Sequence, residues 1–190
     1  IHNPVTSIGC MERDTRNDLT LLGCYDKSGD PSAFAELVKR HSNMVFATAR
    51  RVTGNAATAD DVSQDCFLRL ARSSHRISGS LGAWLHRTSV NRSLELRRSD
   101  RARREREVKA SPLCETASDD SSQLIARVDG ALASLPDDLR VAITEHYLCG
   151  KSQTELAAAL GLNQSSVHRR IQKGLDALRK KLNDDDPTLA

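Results

Sequence analysis

The feature that most restricts the fold is an apolar stripe at helical spacing near the end of the chain, behind a glycine that separates two short segments. The stripe of the later segment consists of Val167, Ile171, Leu175, Leu178 and Leu182. These positions follow one face of an α-helix and do not fit a strand, in which side chains alternate. The earlier segment carries Leu156 and Leu160 on one side, and Ser152 is placed to cap it. Because Gly161 ends that segment, the pattern predicts two helices joined by a tight turn.

Two helices meeting at a glycine form the layout of a helix-turn-helix, whose second helix enters the major groove of DNA. Either Asn163 or Ser165 can cap this second helix. Donor side chains lie away from its apolar stripe or at its N-terminal end: Ser165, Ser166, His168, Arg169, Gln172 and Lys173. They can form hydrogen bonds with base edges or phosphates. An ordinary amphipathic hairpin with a solvated basic face fits the same pattern, so the rest of the chain has to decide.

Length and composition favour two small helical domains. The chain has 190 residues, enough for one medium domain or two small ones. Aromatic residues make up 3% of the sequence, so a core must be built from Leu, Ala, Val and Ile, which favours helices. The net charge is only +3, yet basic residues cluster between 163 and 183, which suits a polyanionic partner.

The cysteines and histidines indicate neither a disulfide framework nor a metal site. The five cysteines are an odd number without a CxxC pair, and the six histidines are scattered. We therefore predict no metal, no cofactor and no catalytic residues. The sequence has no apolar run of about 20 residues and no visible signal peptide, so we expect no membrane insertion and a cytoplasmic protein.

The first half of the chain predicts three longer helices. We expect residues 1–17 to be a disordered extension, with Met11 as a sensible translation start, and the first helix to begin near Asp18. A helix capped by Asp30 runs to about Val52 and stops at Gly54.

The next helix runs from Ala57 to about Ser73, with Val62, Cys66, Phe67 and Leu70 towards the core. Its other side is polar and acidic: Asp60, Asp61, Gln64 and Asp65. Carboxylates favour the first turn of any helix, which explains Asp60 and Asp61 but not the later two.

The remaining segments divide the chain. Residues 74–82 have the composition of a loop, and a third helix is predicted from about Ala83 to Arg103. The polar, acidic stretch 111–123 is typical of a flexible linker. We therefore expect domains at 18–108 and 124–183, a linker at 109–123 and a tail at 184–190.

The residues from Asp30 to Arg104 resemble region 2 of bacterial RNA polymerase sigma factors of the extracytoplasmic-function (ECF) group, within the sigma-70 family. The block LASLPDDLRVAITEHYLCGKSQTELAAALGLNQSSVHRRIQKGLDALRKKL is similar to region 4 of the same group. Together the two blocks cover about four fifths of the chain in the order typical of the family. The resemblance implies an all-α protein with a region 2 helical bundle and a region 4 helix-turn-helix.

The resemblance also implies a role for each surface. Positions that match the core-polymerase contacts are Asp61, Gln64 and Asp65, with Phe67 and Leu68 supporting the contact or the core. Positions that correspond to the minus 10 contacts are Trp84, Arg87, Asn91, Arg92, Arg97 and Arg98. Trp84 fits a core role better than a strand-melting one, and the preceding loop lacks an aromatic residue for a flipped base. The minus 35 contacts correspond to the six donors at Ser165, Ser166, His168, Arg169, Gln172 and Lys173.

The implied partners are core RNA polymerase, through its largest-subunit clamp and its flap, promoter DNA and an anti-sigma protein. The implied function is promoter-specific transcription initiation without catalysis by this chain. A dimeric helix-turn-helix regulator is the alternative, and it would bind a palindrome as a symmetric dimer. A small helical enzyme has almost no support in the sequence.

Overall fold

A computed structural model describes residues 16–77, 79–108 and 120–185, and every regular element in these ranges is helical. The α-helices are α1 (Asp18–Ser28), α2 (Pro31–Thr53), α3 (Ala56–Ser73), α4 (Leu81–Val108), α5 (Asp120–Ala133), α6 (Asp137–Ile143), α7 (Gln153–Leu160) and α8 (Gln164–Asp185). A 3₁₀ turn, Ser74–Arg76, follows α3, and a π-helical turn, Thr144–Leu148, follows α6. The predicted all-α fold of two small helical domains is confirmed.

Local capping sets several helix ends. The Asp30 carboxylate accepts a hydrogen bond from the Ser32 backbone N–H at 2.9 Å, and Pro31 occupies the first turn of α2. Gly54 ends α2 with a φ of 73°, a left-handed conformation that a side chain disfavours. The Asn55 side chain then caps α3 by accepting from Thr58 N at 3.1 Å. These ends agree with the sequence-based expectation to within a residue or two.

Three boundaries in the structure differ from the sequence-based expectation. We expected a loop up to residue 82, but α4 begins at Leu81, because Ser80 Oγ accepts from Ala83 N at 2.9 Å and caps the helix. The same helix continues to Val108, beyond the expected end at Arg103. The predicted linker included residues 120–123, which belong to α5. Residues 1–15, most of that linker (109–119) and most of the predicted tail (186–190) lie outside the described residues.

The first core is formed by α1 to α4. Val62, Cys66 and Leu70 of α3 are buried as predicted, against residues of α2 that include Leu37 and Val45. Phe34, Phe67 and Trp84 are partly buried against the same cluster. Trp84 therefore packs on the core, as the sequence favoured.

Helices α5 to α8 have their own apolar clusters. Leu156 and Ala157 of α7 pack with Val167 and Ile171 of α8, which places the two helices of the motif against each other. Nearer the C-terminal end of α8, Leu178 packs with residues of α5 and α6. A Cβ at Gly174 would lie 2.6 Å from Ile143 Cδ1, so glycine at that position lets α8 approach α6 closely. In the described part of the chain, no helix is both long and apolar enough to cross a membrane.

A partly buried ionic cluster ties α1 to α2. Asp18 lies 2.9 Å from His41 Nε2 and 3.0 Å from Arg40 Nη1. Burial by itself raises the pKa of the Asp18 carboxyl, but hydrogen bonds and charge from His41 and Arg40 outweigh it and lower the pKa to about 2. The folded protein therefore favours the ionised carboxylate more than the unfolded chain does.

We expect Asp18→Asn to lower the free energy of unfolding at pH 7 by about 2 kcal/mol, from the size of the pKa shift. Since the carboxyl pKa is depressed in the folded state, this stabilisation is present above the ordinary value of 3.8 and is lost as pH falls towards about 2. Urea unfolding of both proteins at pH 7, 5, 4 and 3 measures the difference. The difference in the free energy of unfolding between the wild type and Asp18→Asn should narrow below pH 4. The control Asp60→Asn, at an exposed position of α3, should change the free energy of unfolding little. A gap that is constant with pH would contradict this role of Asp18.

Candidate functional site

The start of the helix-turn-helix is held by a reciprocal pair of side-chain bonds. Ser152 Oγ accepts from Glu155 N at 3.2 Å, and the Glu155 carboxylate accepts from Ser152 N at 2.8 Å. This capping box satisfies backbone donors that the first turn of α7 leaves unpaired. At the other end, Gly161 has a φ of 63° and its N–H bonds back to α7. Both predicted ends of α7 are confirmed.

Asn163, rather than Ser165, caps α8. Its side-chain oxygen accepts from Ser166 N at 2.8 Å and from Ser165 Oγ at 2.9 Å. The Ser165 hydroxyl hydrogen is thus already used, which leaves its oxygen as an acceptor for a DNA donor. The helix start is therefore fixed before any DNA arrives.

The basic face of α8 is exposed. His168, Arg169, Gln172 and Lys173 face solvent, while Val167 and Ile171 of the same helix are buried. Ser165 is also exposed and Ser166 is half-buried. The structure brings the six residues together on the first turns of one capped helix, the part of a helix-turn-helix that contacts the major groove.

We expect Asn163→Ala to destabilise the helix-turn-helix by about 1 kcal/mol, because the start of α8 loses its side-chain acceptor. Asn163→Ser keeps a capping oxygen and should lose much less. Chemical unfolding monitored by far-UV circular dichroism compares the two variants. Equal losses of stability in both would show that the cap is not what stabilises this helix.

The polar face of α3 separates into exposed and engaged groups. Asp61 and Gln64 are exposed, and Leu68 beside them is 53% exposed. Phe67 is half-buried against the first core, so it supports the fold beneath this face. Asp65 accepts from Arg92 Nε of α4 at 2.7 Å. The structure thus joins one predicted polymerase contact to one predicted minus 10 contact.

The six predicted minus 10 residues of α4 differ in their exposure and in the hydrogen-bond partners that their side chains already have. Four of them are exposed, namely Arg87, Asn91, Arg97 and Arg98, and Arg87 Nη1 lies 3.9 Å from an Asp137 carboxylate oxygen of α6. Arg92 bonds to both Asp65 and Glu95, and Arg97 donates to the Val52 carbonyl at 3.2 Å. The sixth, Trp84, packs on the core as described above. Asn91 and Arg98 are therefore immediately available to a phosphate or a base, whereas Arg87 has to leave Asp137 first.

The thiols within the described residues are free: Cys24, Cys66 and Cys149. Burial raises the pKa of the Cys66 thiol to about 12. Burial also raises the pKa of the Cys149 thiol to about 12, and the negative charge of the nearby Glu145 carboxylate raises it further in the same direction. Since the thiolate is the reactive form, these two groups are unreactive at neutral pH. Cys10 and Cys114 lie outside the described residues.

Sequence reasoning missed a contact between the two groups of helices. Arg51 of α2 donates to both carboxylate oxygens of Asp129 in α5, at 2.8 and 3.0 Å, and His86 Nε2 of α4 lies 3.0 Å from the same carboxylate. Asp129 and His86 are buried, with 4% and 0% of their surfaces exposed. Burial raises the pKa of Asp129, but these partners outweigh it and hold the pKa below its ordinary value. A charged residue on an otherwise apolar side of α5 was the available signal.

Comparison with known families decides the identity of the chain. Residues 37–104 match Sigma-70 region 2, and residues 125–178 match Sigma-70, region 4. The chain is 35% identical to the ECF RNA polymerase sigma factor SigE of Mycolicibacterium smegmatis, over 95% of this chain and 77% of that protein. The chain belongs to the ECF sigma factors. It is also 30% identical to the ECF sigma factor SigM of Mycobacterium tuberculosis, over 93% of this chain and 90% of SigM.

Solved structures include a related chain, CnrH in complex with the cytosolic domain of CnrY. It is 29% identical to this sigma factor, with a TM-score of 0.43, over 89% of this chain and 99% of CnrH. The predicted ECF membership and the predicted function in transcription initiation are confirmed by the family matches and the relatives. The family matches and the relatives do not favour the alternative of a dimeric helix-turn-helix regulator.

Proposed function

We propose that this sigma factor binds core RNA polymerase through the exposed face of α3 and contacts the minus 10 and minus 35 promoter elements through α4 and α8. The observation that carries the proposal is the start of α8, where exposed donors stand on a helix whose first turn is fixed by Asn163. Such a helix can enter the major groove without an ordering cost. The polymerase clamp and flap are the proposed protein partners.

The assignment of individual residues is part of the proposal. For polymerase we propose Asp61, Gln64 and Leu68, with Asp65 contributing through its bond to Arg92. For the minus 10 element we propose Asn91 and Arg98 as direct contacts, with Arg87, Arg92 and Arg97 joining them when they exchange their present partners. For the minus 35 element we propose the six residues Ser165, Ser166, His168, Arg169, Gln172 and Lys173. The first domain is proposed to span 18–108 and the second to span 120–183, because α5 begins at Asp120 rather than at residue 124.

We also propose that the chain performs no catalysis and acts in the cytoplasm, where polymerase and promoters are found. Within the described residues, no three or more His, Cys, Asp or Glu side chains are grouped so that they could hold a metal ion. An anti-sigma protein as a regulatory partner stays a prediction from the resemblance.

In vitro transcription with sigma-free core polymerase tests the proposal. The template is a pool of genomic fragments, and the 5′ ends of the transcripts are sequenced. We expect defined start sites that share sequence blocks near minus 10 and minus 35, and a monomeric sigma factor by sedimentation. A symmetric dimer that gives transcripts only with another sigma factor present would support the regulator instead.

A further inference from the structure

A cleft of about 540 Å³ lies between α4, α5 and α8, and its walls carry an excess of positive charge. Of the described residues that line it, the charged ones are Arg97 of α4, Arg127 of α5, and Lys181 and Asp184 of α8. Three cations and one carboxylate leave a net charge of +2 on the walls. Because like charges that face one space repel each other, such a cleft favours an anion inside it.

The wall beside these cations is small and apolar. Leu94 lies one turn before Arg97 on α4, and Ala126 and Gly130 lie one turn apart on α5. Residues at these spacings share one face of a helix. The cleft therefore offers an apolar surface and a cationic surface side by side.

Two of the three cations are already oriented by backbone carbonyls. Arg97 Nη1 donates to the Val52 carbonyl at 3.2 Å, and Arg127 Nη2 donates to the Leu182 carbonyl at 3.4 Å. A carbonyl is neutral, so these bonds restrict the side chains without cancelling their charge. In the part of the chain that the structure describes, neither Arg97 nor Lys181 lies within 4 Å of a carboxylate oxygen. Their positive charge is therefore available to a ligand.

The size and chemistry of the cleft fit an organic phosphate better than a bare ion. Small-molecule sites in proteins enclose about 300–1,000 Å³, and this cleft falls within that range. A guanidinium can donate two parallel hydrogen bonds to a phosphate, and a lysine binds it as a point charge. A phosphate monoester carries about −1.5 to −2 charges at neutral pH, close to the opposite of the wall charge. Inorganic phosphate would engage the cations but leave the apolar wall uncovered.

We propose that this cleft is a binding site for a small organic phosphate of nucleotide size. Its phosphate lies on Arg97, Arg127 and Lys181, and its organic part covers Leu94 and Ala126. Nucleotides and sugar phosphates share this chemistry. The site lies apart from the proposed polymerase face of α3 and from the donors at the start of α8. Because Arg97 is also proposed for the minus 10 element, it is left unchanged in the tests.

Isothermal titration calorimetry of the full chain at low salt measures binding without polymerase or promoter. The ligands are AMP, GMP, ribose 5-phosphate, inorganic phosphate and adenosine. We expect at least one organic phosphate to bind as a single molecule per chain, about tenfold tighter or more than inorganic phosphate, and adenosine to give no signal. The ranking of the two nucleotides against ribose 5-phosphate distinguishes the two sources of the phosphate.

Two results of this titration would overturn the proposal. The first is a wild-type chain that binds none of the organic phosphates at concentrations up to about 1 mM. The second is equal affinity for inorganic phosphate, which would reduce the cleft to an adventitious ion site. Since polymerase and promoter are absent, neither result bears on the proposed promoter recognition.

Two substitutions that act by different means locate the bound molecule. Lys181→Gln removes a cation from the wall, and Lys180→Gln removes the same charge from an exposed neighbour outside the cleft. A Cβ at Gly130 would meet nothing within 4 Å, so Gly130→Met places a side chain in the open space that this glycine lines. Gly23→Met in α1 is its control, because a Cβ there also meets nothing within 4 Å.

We expect Lys181→Gln to weaken binding about tenfold and Gly130→Met to abolish it, because the first loses a charge-assisted bond and the second fills the cleft. Both controls should bind as tightly as the wild type. The glycine substitutions should keep or raise the unfolding midpoint, since glycine is a poor helix former. If Gly130→Met does not fold, Lys181→Gln and its control still decide.

Unchanged affinity in both Lys181→Gln and Gly130→Met would place the ligand elsewhere and reject the cleft. Equal losses in Lys181→Gln and Lys180→Gln would reduce the effect to general electrostatics and would reject it as well.

A DNA backbone phosphate is the competing occupant, and a competition titration separates it from a small molecule. A duplex without promoter elements is added to the sigma factor that already holds the organic phosphate. We expect the small molecule to stay bound. Displacement by the duplex, together with weaker duplex binding in both Lys181→Gln and Gly130→Met, would assign the cleft to nucleic acid and overturn the proposal.

Discussion

Replacing both Arg169 and Lys173 with alanine should abolish minus 35 recognition. We expect the promoter affinity of the holoenzyme to fall about 100-fold, because each base or phosphate contact contributes about 1–3 kcal/mol. Both side chains are exposed one turn apart on α8, and the residue between them that faces the core, Ile171, is untouched. The fold should therefore survive. Binding to a promoter fragment at fixed salt, together with a pull-down of core polymerase, measures the two effects separately.

The matched control removes the same charge from the other end of the same helix. Arg179→Ala with Lys180→Ala deletes two exposed cations beyond the proposed groove contact. It should weaken DNA binding slightly, through general electrostatics, without changing dependence on the minus 35 sequence. Equal effects of the two double variants would reduce the role of Arg169 and Lys173 to non-specific charge. Loss of polymerase association in the first variant would count against the assignment of α8 to DNA.

The double substitution Asp61→Ala with Gln64→Ala should weaken association with core polymerase about tenfold or more, because two exposed polar groups of one docking face are removed. The structure favours this pair over Gln64 with Asp65. Removing Asp65 would also release Arg92, a proposed minus 10 residue, and would confuse the two functions. Fluorescence titration of labelled sigma factor with core polymerase gives the affinity.

Asp138→Ala with Asn183→Ala is the control for this prediction. It removes one carboxylate and one amide from exposed positions outside α3. Its polymerase affinity should equal that of the wild type, and both double variants should retain wild-type unfolding midpoints. Unchanged affinity in the α3 variant would remove the basis for placing polymerase on that face.

Much of the site was predictable because its signals are local. Ser152, Gly161 and Asn163 are cap-forming residue types within four positions of the groups they bond, so a short stretch of sequence contains both partners. The stripe through Val167 and Ile171 leaves the donors on the opposite side of α8 for purely geometric reasons. Boundaries were less predictable: α4 begins earlier than expected because Ser80 caps it.

The availability of individual donors was not predictable from local sequence. Arg92 and Arg97 occupy the same helix as Arg98 and look equivalent in the sequence. In the structure Arg92 is bound to Asp65, 27 positions away, and Arg97 to the Val52 carbonyl, 45 positions away. Only the packing of α4 on α2 and α3 creates those partners.

The sequence by itself therefore determined the helices, their main caps and the basic face of α8, since each depends on residues a few positions apart along one helix. Family membership also lies in the sequence, in the two region matches. Tertiary structure alone decided that Asp129 would meet Arg51 and His86, across 78 and 43 positions of chain. Such a contact has no local signal, because its stability comes from burial and charge pairing that exist only once the two regions have come together.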